Sequence, residues 1–173
     1  MVYIPDDGSF EFKGPSRSYG FEVKASAQLN KYLSLNGGIT KVLNSFYRGG
    51  DHRVYVDSAP HFVANSALTL TGWRGWSGSF RMGAIGHYRL DGDDPSIVAS
   101  GFTTFSIGIA KQVHRGVELN LSMDNLTNGD YYETQNYFES RVCSTCPAVS
   151  RIHATPAYPF TLVAGVTFRL WGK

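Results

Sequence analysis

The chain has 173 residues and a formal net charge of +2, with 42% hydrophobic, 17% charged and 14% aromatic residues. That apolar share excludes a disordered chain, the near-neutral charge argues against a nucleic-acid binder, and no run of about 18 apolar residues is present to form a transmembrane helix. A charged share below the roughly 25% of ordinary soluble domains, combined with many aromatics, points to a surface that does not face water everywhere.

Met1-Val2-Tyr3-Ile4 runs straight into Pro5-Asp6-Asp7 without a secretory leader, so work outside the cytoplasm implies further sequence ahead of it. Val2-Tyr3-Ile4 reads at most as the tail of a strand, and residues 1–17 as an external loop with that remnant. From there the period is two, the period of a strand. Residues 18–29 place Phe21, Val23, Ala25, Ala27 and Leu29 opposite Glu22, Lys24, Ser26 and Gln28. Residues 32–47 alternate at Leu33, Leu35 and Ile39, then slip at Lys41-Val42, which predicts a bulge or a strand end. Weaker alternation predicts strands over 60–71, 77–90 and 101–112. Val117, Leu119, Leu121 and Met123 define the next, and Phe160 to Leu170 the last. No helical spacing occurs, so the reading is all-β with seven strands.

The connections alternate in length. Asn30-Lys31, Gly72 to Gly75 and His114-Arg115-Gly116 are short; Arg48 to Ala59, Asp91 to Ser100 and Thr127 to Thr155 are long. In consecutive antiparallel strands this puts every short turn at one end and every long loop at the other, the asymmetry of outer-membrane barrels. The polar face is dominated by small neutral residues such as Ser26, Asn36, Thr69, Ser79, Ser122 and Thr167. A barrel lumen accepts that mixture, whereas the outer face of a soluble sandwich carries Lys and Glu. Tyr32, Trp73, Trp76, Phe168 and Trp171 gather at the short-turn end, and Tyr47, Tyr88, Tyr158 and Phe160 at the long-loop end, as two interfacial girdles require. Seven strands leave two open edges, which lipid does not tolerate. The expected fold is an antiparallel up-and-down transmembrane β-barrel, of which this chain is a C-terminal segment of about seven to eight strands.

Four local patterns resemble TonB-dependent outer-membrane receptors. They are Ser18-Tyr19-Gly20-Phe21-Glu22 entering a strand; Ser58-Ala59-Pro60 before Phe62; Leu121 to Asn128 (LSMDNLTN) followed by Tyr131 and Tyr132; and Gly165-Val166-Thr167-Phe168-Arg169 at the close. The resemblance covers the chain from about residue 18 and implies a barrel segment over 18–173 without the plug domain. It further implies a bacterial outer-membrane location and active uptake of a scarce nutrient, most often a ferric siderophore. The implied partners are outer-membrane lipid, a small-molecule ligand such as a ferric chelate, and the TonB system through an N-terminal part outside these residues. One departure is that Leu170 stands where the family ends in an aromatic residue. Two other readings remain open: a self-contained small outer-membrane barrel, and a soluble lipocalin-like ligand-binding barrel.

For chemistry the sequence offers little. Cys143-Ser144-Thr145-Cys146 lacks the further ligands of a zinc site and the βαβ context of a redox motif, so a disulfide stapling an external loop is the favoured reading. Asp91-Gly92-Asp93-Asp94 lacks the spaced ligands of a calcium loop. No hydrolase, Walker or metalloprotease motif occurs, so the expectation is no enzyme and no cofactor. Loop 127–157 is the candidate for ligand contact. Its Tyr131, Tyr132, Tyr137, Phe138, Arg141, Arg151 and His153 suit stacking and charge-assisted bonding to an anionic, ring-bearing chelate. Arg48, His52 and Arg53 add cations from a second loop.

Overall fold

The computed structural model describes residues 2–4, 9–11, 14–48 and 53–169. Seven strands form one antiparallel sheet: β3 (Ser16–Gln28), β4 (Leu33–Tyr47), β5 (Phe62–Trp73), β6 (Trp76–Ile85), β9 (Phe102–His114), β10 (Val117–Asp124) and β13 (Thr161–Phe168). Their spatial order is β13-β10-β9-β6-β5-β4-β3, so neighbours in this sheet follow one another along the chain. Three two-stranded ribbons stand apart from it. β1 (Val2–Ile4) pairs with β2 (Ser9–Glu11), β7 (Tyr88–Arg89) with β8 (Val98–Ala99), and β11 (Tyr132–Ser140) with β12 (Val149–Pro156). No helix occurs among the described residues, and β3 and β13 are the open edges of the sheet.

The alternation along each strand becomes a banding across the sheet. One row of paired residues runs Ala27–Leu35–Leu68–Phe80–Ile107–Met123–Leu162, and another runs Leu33–Leu70–Gly78–Ile109–Leu121–Ala164. Between them lies Gln28–Ser34–Thr69–Ser79–Gly108–Ser122–Val163, polar or small except for Val163. Successive rows point to opposite faces, so one face is apolar across the whole width and the other polar. On the polar face Ser26 Oγ donates to Asn36 at 2.8 Å, Asn120 to Thr167 Oγ1 at 3.1 Å, and Lys24 pairs with Glu22 at 2.8 Å.

Among the described residues nothing covers the apolar face. Leu119, Leu162 and Val166 are 46%, 57% and 51% exposed, and the buried apolar residues among those described are Ala64, Leu90 and Ala99. Burying a large apolar side chain contributes about 2 kcal/mol, and a whole soluble domain is held by only about 5–15 kcal/mol. A dozen such side chains left in water would therefore outweigh the stability of the fold. In hydrocarbon they cost nothing, and the backbone is paired within the sheet. The architecture is a segment of an up-and-down transmembrane barrel.

The turns explain the asymmetry of the two ends. Asn30 Oδ1 accepts the N–H groups of Tyr32 and Leu33 at 2.9 and 3.1 Å, which closes β3 onto β4. Arg74 and Gly75 both have positive φ, 51° and 79°, between the paired Trp73 and Trp76. That is the two-residue turn whose twist matches a hairpin, and it favours glycine. The slip at Lys41-Val42 is a bulge: Gly20 pairs with Val42 and Tyr19 with Asn44, leaving Leu43 unpaired.

The 77–90 strand ends at Ile85, and Tyr88–Arg89 turns away to pair with Val98–Ala99. Loop 127–157 carries its own hairpin, β11–β12. Leu170, Trp171 and His52 lie outside the described residues.

Candidate functional site: the β11–β12 hairpin and its base

Two asparagines anchor this hairpin to the barrel. Asn125 is 5% exposed and holds a left-handed φ of 50°. Its amide donates to Gly129 O and Tyr158 O at 3.0 and 3.1 Å, and its Oδ1 accepts the Gly129 N–H at 3.1 Å. Asn128, also left-handed at 47°, accepts the Phe160 N–H on Oδ1 at 2.8 Å. The Asn-Leu-Thr-Asn pattern thus ties the way out of β10 to the way into β13. Both residues are Asn because that side chain tolerates positive φ while bonding to nearby backbone.

At the base, Tyr131 and Tyr132 line a cavity of about 480 Å³ together with Ser100, Gly101, Asp130 and Pro159. The Tyr131 ring stacks on Phe102 with centroids 4.4 Å apart. Burial, and then the carboxylates of Glu133 and Asp124, push the Tyr131 hydroxyl above its ordinary value, so it stays a neutral donor at physiological pH. Higher on the hairpin, Phe138 pairs with Arg151, and Asn136 with His153. Residues two apart share a face, so Phe138, Arg151 and His153 form one aromatic and cationic patch. Phe138 and His153 stack at 3.9 Å with planes 9° apart, and His153 Nε2 is buried without a hydrogen-bond partner. Arg151 Nε reaches only Val149 O, at 3.4 Å.

Other predicted residues lie elsewhere. Tyr137 faces the opposite side of the hairpin, paired with Ile152. Arg141 is exposed at the tip, next to Cys143 and Cys146, which are bonded to each other with Cα atoms 5.1 Å apart. Arg48 and Arg53 belong to the β4–β5 loop, whose Tyr55 and Ser58 N–H groups donate to Gly92 O and Arg89 O of the β6–β9 connection. Arg53 sits over the Phe46 ring at 4.6 Å, while the Arg48 backbone N–H donates to Pro15 O at 2.7 Å. The nine candidates thus divide between the hairpin and a separate loop. No group of three or more metal-ligating side chains occurs among the described residues.

Sequence reading did not single out Phe102, Ser100 or Gln135. Ser100 N–H donates to Gln135 Oε1 at 3.1 Å, and Gln135 Nε2 donates to Ser100 O at 3.0 Å. No local pattern announces such a pair. Chemically, the arrangement offers stacking faces, a guanidinium and a phenol donor at the mouth of a polar interior, which suits an anionic, planar ligand.

No family model matches the chain, and no curated protein is similar to it in sequence. Solved structures are. The copper transporter OprC superposes with a TM-score of 0.66 at 20% identity over 88% of this chain and 24% of its own. The ferric-catecholate import receptor Fiu of E. coli, in a closed form, gives 0.69 at 17% identity over 96% and 23%. The ferric yersiniabactin uptake receptor FyuA of Yersinia pestis gives 0.68 at 15% over 88% and 23%. The chain therefore shares the fold of these barrels and spans about a quarter of their length.

Proposed function

We propose that this chain is the C-terminal part of the barrel of a TonB-dependent outer-membrane receptor, which takes up a scarce nutrient, a ferric siderophore in the first instance. One observation carries the membrane half of this reading: whole-width rows of apolar and polar residues alternate across a sheet whose apolar face has no covering layer. The receptor half draws support from likeness in fold to import receptors for copper and ferric chelates.

In this reading residues 18–173 supply barrel strands, and residues 1–17 belong to an external loop and the strand before it. The β11–β12 hairpin stands on the external side, where long loops belong. Tyr131 and Tyr132 at its base and Phe138, Arg151 and His153 on its face make the first contacts with the chelate, and Arg48 and Arg53 attract its negative charge from the separate β4–β5 loop. The disulfide of Cys143 and Cys146 holds the tip. A gating plug and the TonB contact lie in sequence outside this chain, and no chemistry on the ligand is involved.

The test is uptake of a labelled ferric chelate by iron-starved cells that carry or lack the protein. Uptake that requires the protein, collapses when the proton-motive force is dissipated, and falls with Arg151→Ala is the expected result. Equal uptake by both strains across a panel of ferric chelates overturns the reading.

A further inference from the structure

The apolar face has a hollow of about 350 Å³, and its origin is steric. A Cβ at Gly78 would lie 2.7 Å from Gly108 O on the adjacent strand, so the row Leu33–Leu70–Gly78–Ile109 must lack a side chain there. The gap is walled by Leu33, Leu70, Phe80 and Ile109 and ends toward the turns at Trp73 and Trp76.

Two cations stand at that end. Lys111 pairs with Trp76 across β6 and β9, and its ammonium lies 4.9 Å over the Trp76 ring. The same ammonium donates to Arg74 O at 2.8 Å, which accounts for one of its three protons. The Arg74 guanidinium lies 5.8 Å over Trp73. The surrounding charge is mostly positive. Residues 26–35, 70–79, 109–119 and 163–169 hold Lys31, Arg74, Lys111, Arg115 and Arg169 but a single carboxylate, Glu118, which faces Arg169 at 3.6 Å. The loops at the other end mix the two signs, with Asp57, Asp91, Asp93, Asp94, Asp130, Glu133 and Glu139 beside Arg48, Arg53, Arg89, Arg141 and Arg151.

We propose that this hollow is a binding site for one anionic glycerophospholipid of the periplasmic leaflet. One acyl chain fills the gap over Gly78, and the headgroup phosphate takes the free protons of Lys111 and the guanidinium of Arg74, between the two indoles. The short-turn end of a barrel faces the periplasm, so the phosphate plane and the cations fall at one depth. The site rests on the membrane reading above, and its test separates the two.

The protein is isolated from outer membranes in a mild detergent and titrated with phosphatidylglycerol and with phosphatidylcholine under native mass spectrometry. Heat-dependent gel migration reports the folded state of each variant. One phosphatidylglycerol binds at about thirtyfold lower concentration than phosphatidylcholine, the size expected for two interfacial cations. Lys111→Gln with Arg74→Gln removes the preference and keeps the weak binding of phosphatidylcholine. Leu70→Phe, which fills the hollow, weakens both lipids, and Arg115→Gln, on another turn, changes neither. Equal binding of the two lipids by the unaltered protein, or a loss with Arg115→Gln as large as with the pair, overturns the lipid site and leaves the membrane reading standing. A protein absent from the outer-membrane fraction overturns both.

Discussion

Ser100 and Gln135 exchange two hydrogen bonds, 3.1 and 3.0 Å long, across 35 residues of chain. The Gln135 side chain pairs with the Ser100 backbone as a neighbouring strand would. It therefore fastens the β11–β12 hairpin to the start of β9, next to the cavity lined by Tyr131 and Tyr132.

Gln135→Leu breaks both bonds and leaves the N–H and C=O of exposed Ser100 to water, at a cost of about 1–3 kcal/mol for the two bonds together. The loss is local. Amide hydrogen exchange over 132–156 accelerates by one to two orders of magnitude while the seven-stranded sheet keeps its protection. Unchanged exchange in the hairpin would show that the clamp does not hold it.

Asn125→Ala removes three hydrogen bonds and forces a left-handed φ on a residue that resists it, a combined cost of about 2–4 kcal/mol. Asn125→Gly relieves the backbone but loses the bonds, so it falls between Ala and the native residue. Denaturant midpoints of the three proteins, in that order, check the assignment.

His61 lies beside Lys41 and Arg89, and partial burial and then these two cations hold its pKa below the ordinary imidazole value of 6.5. At pH above 6.5 the imidazole is neutral in folded and unfolded chains, and it contributes no pH dependence. As the pH falls below 6.5 the unfolded chain takes up a proton that the folded one refuses, so stability declines. His61→Gln flattens the stability curve between pH 6.5 and 5, and a slope that survives the substitution rejects this origin.

Phe80 and Ser79 are adjacent, yet their rows lie on opposite faces. Phe80→Arg puts a charge into hydrocarbon at mid-strand, at a cost of about 2–4 kcal/mol, and also loses the stack on Phe105. Ser79→Arg points into the polar interior and costs little. Folded yields in lipid vesicles should drop sharply for the first and hold for the second; equal losses contradict the assignment of faces.

The seven strands were legible because their cause is local. A strand with hydrocarbon on one side and a polar interior on the other must alternate with period two, and Val117-Glu118-Leu119-Asn120-Leu121-Ser122 shows that contrast without any knowledge of its neighbours. The bulge at Leu43 announced itself the same way, as a break in that period. The β11–β12 hairpin did not, because both of its faces are mixed: Thr134, Asn136 and Phe138 on one side, Gln135, Tyr137 and Glu139 on the other. With water around it, nothing imposes alternation, and the segment reads as loop.

The composition of the candidate site follows from the sequence, since Tyr131, Tyr132, Tyr137, Arg141, Arg151 and His153 crowd into 131–153 and only Arg48 and Arg53 stand apart. Its grouping does not. Tertiary structure alone set Phe102 against Tyr131 and placed Arg48 and Arg53 on a different loop from the hairpin, bonded to the β6–β9 connection. It also left a gap over Gly78, because each of these depends on which distant backbone lies alongside.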